Sequence, residues 1–230
     1  MVTAARIRDD LRMPSGYFAL GDSMSIDDYA GGPGLGAASL LADDLGIELT
    51  MLAADGATSD DVVRRQLGRV TGRPALITVT MGGNDLLTAL MQTPDAAALA
   101  GAIGRIGENY ETVLASLAAT GARVVATTVY DPTDGTGDLS WIGLPEIAGG
   151  PAVLDTLNDA IRAAAARHGA ALADVHAAFL GHGAKAGDIT RAESRPANRD
   201  LWFCGHIEPN AWGARAIRDA WRQALFTPAP

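Results

Sequence analysis

Three short motifs contain residues whose types suit attack on a carbonyl group. Ser23 lies in "GDSM", Gly56 in "DGAT" and Asn84 in "GGND". A serine hydroxyl can attack a carbonyl carbon, while a glycine N–H and an asparagine amide can donate hydrogen bonds to the oxyanion that develops there. Each residue alone also has a structural explanation, as a helix cap or a turn residue. The chemical interpretation therefore depends on the three motifs meeting at one place.

The elements around these motifs predict that they do meet. Each motif follows a short apolar run without polar alternation, which is typical of a strand buried on both faces of a parallel sheet. The runs of this kind cover residues 17–20, 48–53, 75–81, 123–129 and 171–175. Ligands of parallel sheets bind at the carboxyl ends of the strands, so the three motifs should share one rim.

Helical patterns alternate with these runs. They cover residues 35–45, 59–70, 94–119, 151–168 and 210–225. Repeated strand-helix units of this kind predict the α/β class, as a three-layer α/β/α sandwich around a five-stranded parallel sheet. The length fits one domain covering residues 1–230.

The composition favours a small-molecule partner. The 230-residue chain has a net charge of −9 and a pI near 4.8, so we expect binding neither to nucleic acid nor to anionic membrane surfaces. Cys204 is the only cysteine, so an intrachain disulfide is impossible. The N-terminal residues lack the apolar core of a signal peptide, and no apolar run reaches membrane-spanning length. We therefore expect a cytoplasmic protein without membrane insertion.

The ordered set "GDSM", "DGAT" and "GGND" resembles the first three sequence blocks of the GDSL family, also called SGNH hydrolases. The resemblance covers nearly the whole chain, and the family comprises esterases, lipases, thioesterases and sugar-acyl esterases on a flavodoxin-like sandwich. It implies that Ser23 is the nucleophile. It also implies an oxyanion hole made of the Ser23 backbone N–H, the Gly56 N–H and the Asn84 amide. The GxSxG motif of other serine hydrolases is absent from the sequence, which disfavours an α/β-hydrolase nucleophile elbow.

The fourth block of the family, Asp-x-x-His followed by Pro-Asn, differs in this chain. The corresponding stretch reads "GHIEPNAWGA". Alignment on its Pro-Asn pair and its later glycine places Gly205 at the aspartate position and Glu208 at the histidine position. A serine hydroxyl needs a base, and a carboxylate with an ordinary pKa of about 4.3 accepts its proton poorly unless burial raises that pKa. The identity of the general base therefore stays open at this point.

Three residues are candidates for the base. His182 in "FLGHG" follows the fifth predicted strand and should lie on the same rim. His206 lies two residues before Glu208, so both side chains point the same way if the segment is extended. We prefer a rearranged triad in which Ser23 attacks, His182 takes the proton and Glu208 orients the imidazole. His206 as the base, or Glu208 itself, are the alternatives.

Neither a metal nor a cofactor is expected. The acidic pairs Asp27-Asp28 and Asp60-Asp61 lack an evident third ligand, and such pairs are common where helices begin. The GxGxxA match within residues 31–37 lies too far beyond the first predicted strand to be a dinucleotide-binding turn.

These observations together predict a serine hydrolase, an esterase that cleaves a small acyl ester through an acyl-enzyme at Ser23. The substrate would lie between two long predicted loops, 131–150 and 181–206, near Trp202 or Trp141. The alternative is an acyltransferase, or a catalytically impaired protein that binds a ligand in the same pocket.

Overall fold

A computed structural model describes residues 16–92, 95–140, 143, 149–186, 190, 201–205 and 207–226. A five-stranded parallel sheet forms its centre, in the order β2-β1-β3-β4-β5. The strands are β1 (Tyr17–Leu20), β2 (Leu49–Met51), β3 (Leu76–Val79), β4 (Arg123–Thr127) and β5 (Ala171–Ala173). This is the strand order of flavodoxin-like folds. The predicted fold class is confirmed, and each predicted apolar run contains one of the strands.

Helices cover both faces of the sheet. They are α1 (Ala37–Leu45), α2 (Ser59–Asp61), α3 (Gly83–Gln92), α4 (Ala96–Ala118), α5 (Gly150–His168), α6 (Val175–Phe179) and α7 (Ala211–Phe226). A π-helical turn over Val62–Gln66 and a 3-10 turn over Leu67–Arg69 continue α2. The chain thus alternates strand and helix as the sequence pattern predicted.

Alternate residues of the strands pack into two separate hydrophobic cores. In β1, Tyr17 and Ala19 face the core formed with α1 and α7, whereas Leu20 faces the core formed with α4 and α5. Trp221 of α7 is fully buried, and its Nε1–H donates to Thr127 Oγ1 of β4 at 2.9 Å. These two cores fix the helices against the sheet and so fix the loops at the ends of the strands.

Three elements differ from the sequence expectation. Helix α3 begins within the "GGND" motif, in a stretch that none of the predicted helical patterns covers. The fifth strand ends early because the Asp174 side chain caps α6 by accepting from Ala177 N–H. A two-stranded antiparallel hairpin, β6 (Phe203–Cys204) with β7 (Glu208–Pro209), precedes α7.

Among the described helices, none is both long and apolar enough to cross a membrane.

Candidate active site

The predicted nucleophile Ser23 lies in a tight turn directly after β1 and is half-buried. The turn requires Gly21, which has a φ of 126° and whose added Cβ would lie 1.8 Å from the Thr80 carbonyl oxygen. Thr80, just after β3, accepts a hydrogen bond from Asp22 N–H at 3.2 Å. Its hydroxyl also pairs with the Ser25 hydroxyl at 3.1 Å. Thr80 therefore fixes the turn both before Ser23, through Asp22, and after it, through Ser25.

Gln66 holds the same turn through the backbone of Gly21. Its Oε1 accepts from Gly21 N–H at 2.7 Å, and its Nε2 donates to the Gly21 carbonyl at 2.9 Å. Gln66 is buried at the end of the π-helical turn after α2. Turns of this kind are rare and occur often at functional sites. Both polar backbone groups of Gly21 are thus satisfied, two residues before the predicted nucleophile.

The predicted oxyanion donors come from two loops that are hydrogen-bonded to each other. Asn84, in the first turn of α3, donates from Nδ2 to the Ala57 carbonyl at 3.0 Å. Ala57 follows Gly56, which has a φ of 66° and is exposed. The Asn84 amide is therefore oriented by the loop that carries the Gly56 N–H.

A second contact fastens these two loops. Ser59, the first residue of α2, donates to the Asp85 carboxylate from its backbone N–H at 2.9 Å and from its hydroxyl at 2.6 Å. Asn109 of α4 donates to the Ser59 hydroxyl at 2.9 Å. Asp85 is adjacent to Asn84, so this network sets the position of α3 relative to the Gly56 loop.

Ser23 and Asn84 line one cleft with a cavity volume of about 120 Å³. Most of its remaining wall is apolar and includes Leu86, Leu90, Leu99, Val129, Val153 and Leu154. Gly56 does not belong to the described lining of this cleft, although the Asn84–Ala57 hydrogen bond brings its loop to the rim. A hydroxyl and an amide at the end of an apolar cleft can hold an ester with an apolar acyl group.

A carboxyl group at the rim has an altered acidity. Asp22 lines the cleft and is 3% exposed. Burial raises the pKa of Asp22 to about 6, partly offset by hydrogen bonds from Met24 and Thr80. The carboxyl next to Ser23 therefore changes charge near neutral pH.

Tyr130 connects the cleft to the fourth sequence block. It lines the cleft, and its hydroxyl donates to the Ile207 carbonyl at 2.6 Å. Burial raises the pKa of Tyr130 well above its ordinary value, and the charges of Asp22 and Glu208 raise it further. Glu208 follows Ile207, which belongs to the lining and receives the Tyr130 hydrogen bond, so the backbone of the fourth sequence block reaches the cleft.

Glu208, which the motif alignment placed at the histidine position, is half-buried. One of its carboxylate oxygens accepts from Ile207 N–H at 3.0 Å. The same oxygen would lie 3.1 Å from a Cβ added at Gly205, which occupies the aspartate position. His206, the candidate between them, lies outside the described residues.

His182 lies in a different environment. It is 3% exposed, and its ring stacks on Trp202 with 3.3 Å between ring centroids. The flanking Gly181 and Gly183 donate from their N–H groups to Asp134 Oδ1 at 3.1 and 3.2 Å. His182 does not belong to the described lining of the cleft that contains Ser23. Its role as the base stays a prediction.

The aromatic and acidic residues considered from the sequence have other contacts. Trp202 packs on His182 and Phe179, and Trp141 lies outside the described residues. Asp27 accepts from the N–H groups of Gly34 and Gly36, both at 2.8 Å, and so shapes the glycine-rich loop.

The second acidic pair belongs to the start of α2. Asp61 forms a capping box with Thr58, and Asp60 pairs with Arg64 at 3.4 Å. In the part of the chain that the structure describes, no group of three or more His, Cys, Asp or Glu residues could hold a metal ion. The expectation of a metal-free site stays a prediction.

The sequence analysis missed the residues that support the site. Gln66 falls in a predicted helix, and nothing in its pattern distinguishes a clamp on Gly21 from an ordinary helical glutamine. Asp134 is buried and receives backbone N–H groups from the 181–185 segment, but no short motif marks it. Ser59 is the first residue of the predicted helix 59–70, and the sequence pattern does not indicate that it also binds Asp85.

The strand order, the helices on both faces and the serine after β1 define the SGNH hydrolase fold, a flavodoxin-like α/β sandwich. Residues 19–216 match the GDSL-like lipase/acylhydrolase family. The chain belongs to this family. The predicted family is thereby confirmed, whereas the assignment of the three motifs to family blocks and the roles of individual residues stay predictions.

Solved structures show the same fold. An extracellular lipase from Streptomyces rimosus is 25% identical with a TM-score of 0.65, covering 91% of this chain and 99% of that one. A phospholipase A1 from Streptomyces albidoflavus NA297 is 25% identical with a TM-score of 0.59, covering 92% of this chain and 100% of that one. An acetyl xylan esterase is 19% identical with a TM-score of 0.68, covering 92% of this chain and 100% of that one. No curated protein matches the chain significantly by sequence.

Proposed function

We propose that this protein is a serine esterase that cleaves an acyl ester through a covalent acyl-enzyme at Ser23. The observation that carries the proposal is that Ser23 and Asn84 line one cleft whose other walls are mostly apolar. Two similar structures are named as a lipase and a phospholipase A1, and a third is named as an acetyl xylan esterase. The likeness of this chain to the lipase and the phospholipase supports the same class of reaction.

The reaction has two steps, acylation of Ser23 and hydrolysis of the acyl-enzyme. The Ser23 hydroxyl gives its proton to the base as its oxygen bonds to the carbonyl carbon, and the base then protonates the departing alcohol oxygen as the ester C–O bond breaks. A water molecule next gives a proton to the base and attacks the acyl carbonyl. The bond to Ser23 breaks, its oxygen regains the proton, and a carboxylic acid leaves.

The negative charge of the tetrahedral intermediate is met by three donors. We assign these to the backbone N–H of Ser23, the N–H of Gly56 and one N–H of the Asn84 amide. The hydrogen bond from Asn84 to Ala57 supports the assignment, because it orients the amide before the substrate arrives. Donors that are held in place in this way cost no reorganisation during the reaction.

For the base we now rank Glu208 ahead of His182. Glu208 is adjacent to the cleft residue Ile207, whose carbonyl accepts from the Tyr130 hydroxyl, whereas His182 stacks on Trp202 and does not belong to the described lining. Glu208 takes the proton itself or orients the His206 imidazole that does so. The rearranged triad with His182 is the competing arrangement.

Hydrolysis of p-nitrophenyl butyrate by wild type, Ser23→Ala and Ser116→Ala tests the function. Ser116 is an exposed serine of α4 and does not belong to the described cleft lining, so it is the matched control. We expect Ser23→Ala to lower kcat at least about a thousandfold and Ser116→Ala to leave it unchanged. Thermal unfolding by circular dichroism checks that both variants fold.

Two results would favour the alternative functions. Binding of the ester without any turnover would indicate a ligand-binding protein. Transfer of the acyl group to an added alcohol faster than to water would indicate an acyltransferase. Unchanged hydrolysis in Ser23→Ala would show that the nucleophile is a different residue.

A further inference from the structure

We infer that the apolar end of the cleft is a slot for a linear acyl chain, so that the protein selects hexanoyl and octanoyl esters over acetyl esters. The inference rests on the proposed function, because it takes Ser23 as the point where the acyl carbonyl is attacked. It adds the class of acyl group, which the motifs leave undefined.

Helix α3 provides one wall of this slot. Gly83, Leu86, Leu87 and Leu90 all line the cleft, and their spacing of three, four and seven residues from Gly83 places them along one face of the helix. Asn84, the proposed oxyanion donor, lies at the beginning of this row. At 1.5 Å per residue the row extends roughly 10 Å from the oxyanion site. An acyl chain attached at Ser23 can therefore lie along the helix.

Helices α4 and α5 provide the facing wall. Leu99 of α4 and Val153 and Leu154 of α5 line the same cleft. Leu99 is buried, whereas Val153 and Leu154 are half-buried and retain surface that an acyl chain can cover. Side chains of leucine and valine offer no hydrogen bond to a sugar hydroxyl. This wall therefore suits hydrocarbon and does not suit a carbohydrate.

The polar residues of the cleft follow the carboxyl ends of three strands. Asp22 and Ser23 follow β1, Asn84 begins α3 after β3, and Asp131 and Thr133 follow β4. An acetyl group would reach only the residues near Ser23 and would leave the leucine row in contact with water. Each CH2 group that enters the slot should raise kcat/KM about fourfold, the factor that corresponds to about 0.8 kcal/mol per buried CH2. The increase in kcat/KM should stop at the chain length that fills the slot.

The test compares kcat/KM for p-nitrophenyl acetate, butyrate, hexanoate and octanoate, each below the concentration at which it forms micelles. Leu90→Trp fills the far part of the slot, and Leu154→Trp fills it from the facing wall. Met91→Trp is the matched control, because Met91 is the next residue of α3, is 70% exposed and does not belong to the described lining. Thermal unfolding confirms that each variant folds.

We expect wild type and Met91→Trp to show kcat/KM rising at least about tenfold from acetate to hexanoate. We expect the ratio of hexanoate to acetate to fall at least about tenfold in Leu90→Trp or in Leu154→Trp. A kcat/KM that stays constant or falls with increasing chain length would overturn the slot. Equal ratios of hexanoate to acetate in Leu90→Trp, Leu154→Trp and Met91→Trp would also overturn it.

A binding measurement separates failure of the slot from failure of the proposed function. Isothermal titration of Ser23→Ala with p-nitrophenyl hexanoate and acetate needs no turnover. If no ester is hydrolysed but hexanoate binds more tightly than acetate, the slot stands and the esterase function fails. If esters are hydrolysed without dependence on chain length, the function stands and the slot fails.

Discussion

The side chain of Gln66 forms two hydrogen bonds with Gly21, accepting from its N–H at 2.7 Å and donating to its carbonyl at 2.9 Å. Gly21 begins the turn that carries Ser23, and its φ of 126° is open only to glycine without strain. A buried glutamine from a π-helical turn thus positions the proposed nucleophile without touching the cleft itself.

The first prediction concerns the two hydrogen bonds between Gln66 and Gly21, which we call the Gln66 clamp. Gln66→Leu should lower kcat about tenfold to a hundredfold with little change in KM, because Ser23 is displaced while the substrate walls remain. It should also destabilise the fold by about 1–3 kcal/mol, since the buried Gly21 N–H loses its acceptor, whereas the Gly21 carbonyl keeps a hydrogen bond from Ala54 N–H at 3.0 Å.

A second variant of the clamp, Gln66→Glu, separates position from stability. The carboxyl group that this variant introduces can donate to the Gly21 carbonyl only when it is protonated, as the Gln66 amide does in wild type. Activity relative to wild type should therefore recover as the pH falls. A pH-independent ratio of kcat values would contradict the positioning role.

The oxyanion assignment predicts a different kinetic pattern. Asn84→Ala should lower kcat about a hundredfold or more with a smaller effect on KM, because the amide binds the oxyanion more strongly than the ground-state carbonyl. Asn84→Asp keeps the size of the side chain but replaces a donor with a negative charge, and it should be at least as inactive. Steady-state kinetics on folded variants measures both. A change confined to KM would mean that Asn84 only positions the substrate.

Asp22 predicts a dependence of stability on pH. Its pKa is raised from 3.8 to about 6 by burial, so the folded protein binds the proton more tightly than the unfolded chain does. The tighter binding of this proton adds to the free energy of unfolding. The addition is fully present below about pH 3.8 and is lost as the pH rises through about 6. Asp22→Asn removes the charge, so above about pH 6 it should be more stable than wild type by up to about 3 kcal/mol, and the difference should shrink toward acid pH.

Urea unfolding at several pH values between about 4 and 8 measures this difference. Asp43→Asn is the control, because Asp43 is exposed and its carboxylate stays in water. A stability difference between Asp22→Asn and wild type that does not change with pH would refute the effect of burial.

Substitution of the three candidate residues identifies the general base. If Glu208 takes or directs the proton, Glu208→Gln should lower kcat by about a thousandfold or more, while His182→Phe, which retains an aromatic ring against Trp202, should keep most of the activity. His206→Ala then separates the two roles of Glu208, since it is inactive only if an imidazole is the direct acceptor. Loss of activity in His182→Phe with little loss in Glu208→Gln would restore the rearranged triad with His182 as the base.

The sequence predicted the layers of the fold because these depend on local patterns. The run 75–81 contains no charged residue and four β-branched residues, Ile77, Thr78, Val79 and Thr80, and this composition is typical of a central parallel strand such as β3. Ser23, Gly56 and Asn84 could be named as candidates because each lies three to five residues after the end of a strand. The chain geometry of a parallel sheet alone brings such residues to one edge.

The rest of the site depends on contacts between distant residues. Gln66 reaches Gly21 across 45 positions, and Asp134 binds the backbone beside His182 from a different loop. No local sequence pattern indicates a hydrogen bond between residues that lie so far apart in the chain. The short hairpin of β6 and β7 places Glu208 by its own pairing and by the link from Tyr130 to Ile207, a contact across 77 positions. For this reason sequence reasoning could name candidates for the base but could not rank them by their distance from the cleft.

The central claim is that Ser23 is the nucleophile of an apolar cleft, and covalent labelling tests it most directly. Wild type and Ser23→Ala are treated with a fluorophosphonate carrying a linear alkyl chain, and the labelled peptide is identified by mass spectrometry. The account predicts one adduct per chain, located on Ser23, formed in step with loss of ester hydrolysis and absent in Ser23→Ala. An adduct on another residue, or loss of activity while Ser23 remains unlabelled, would contradict it.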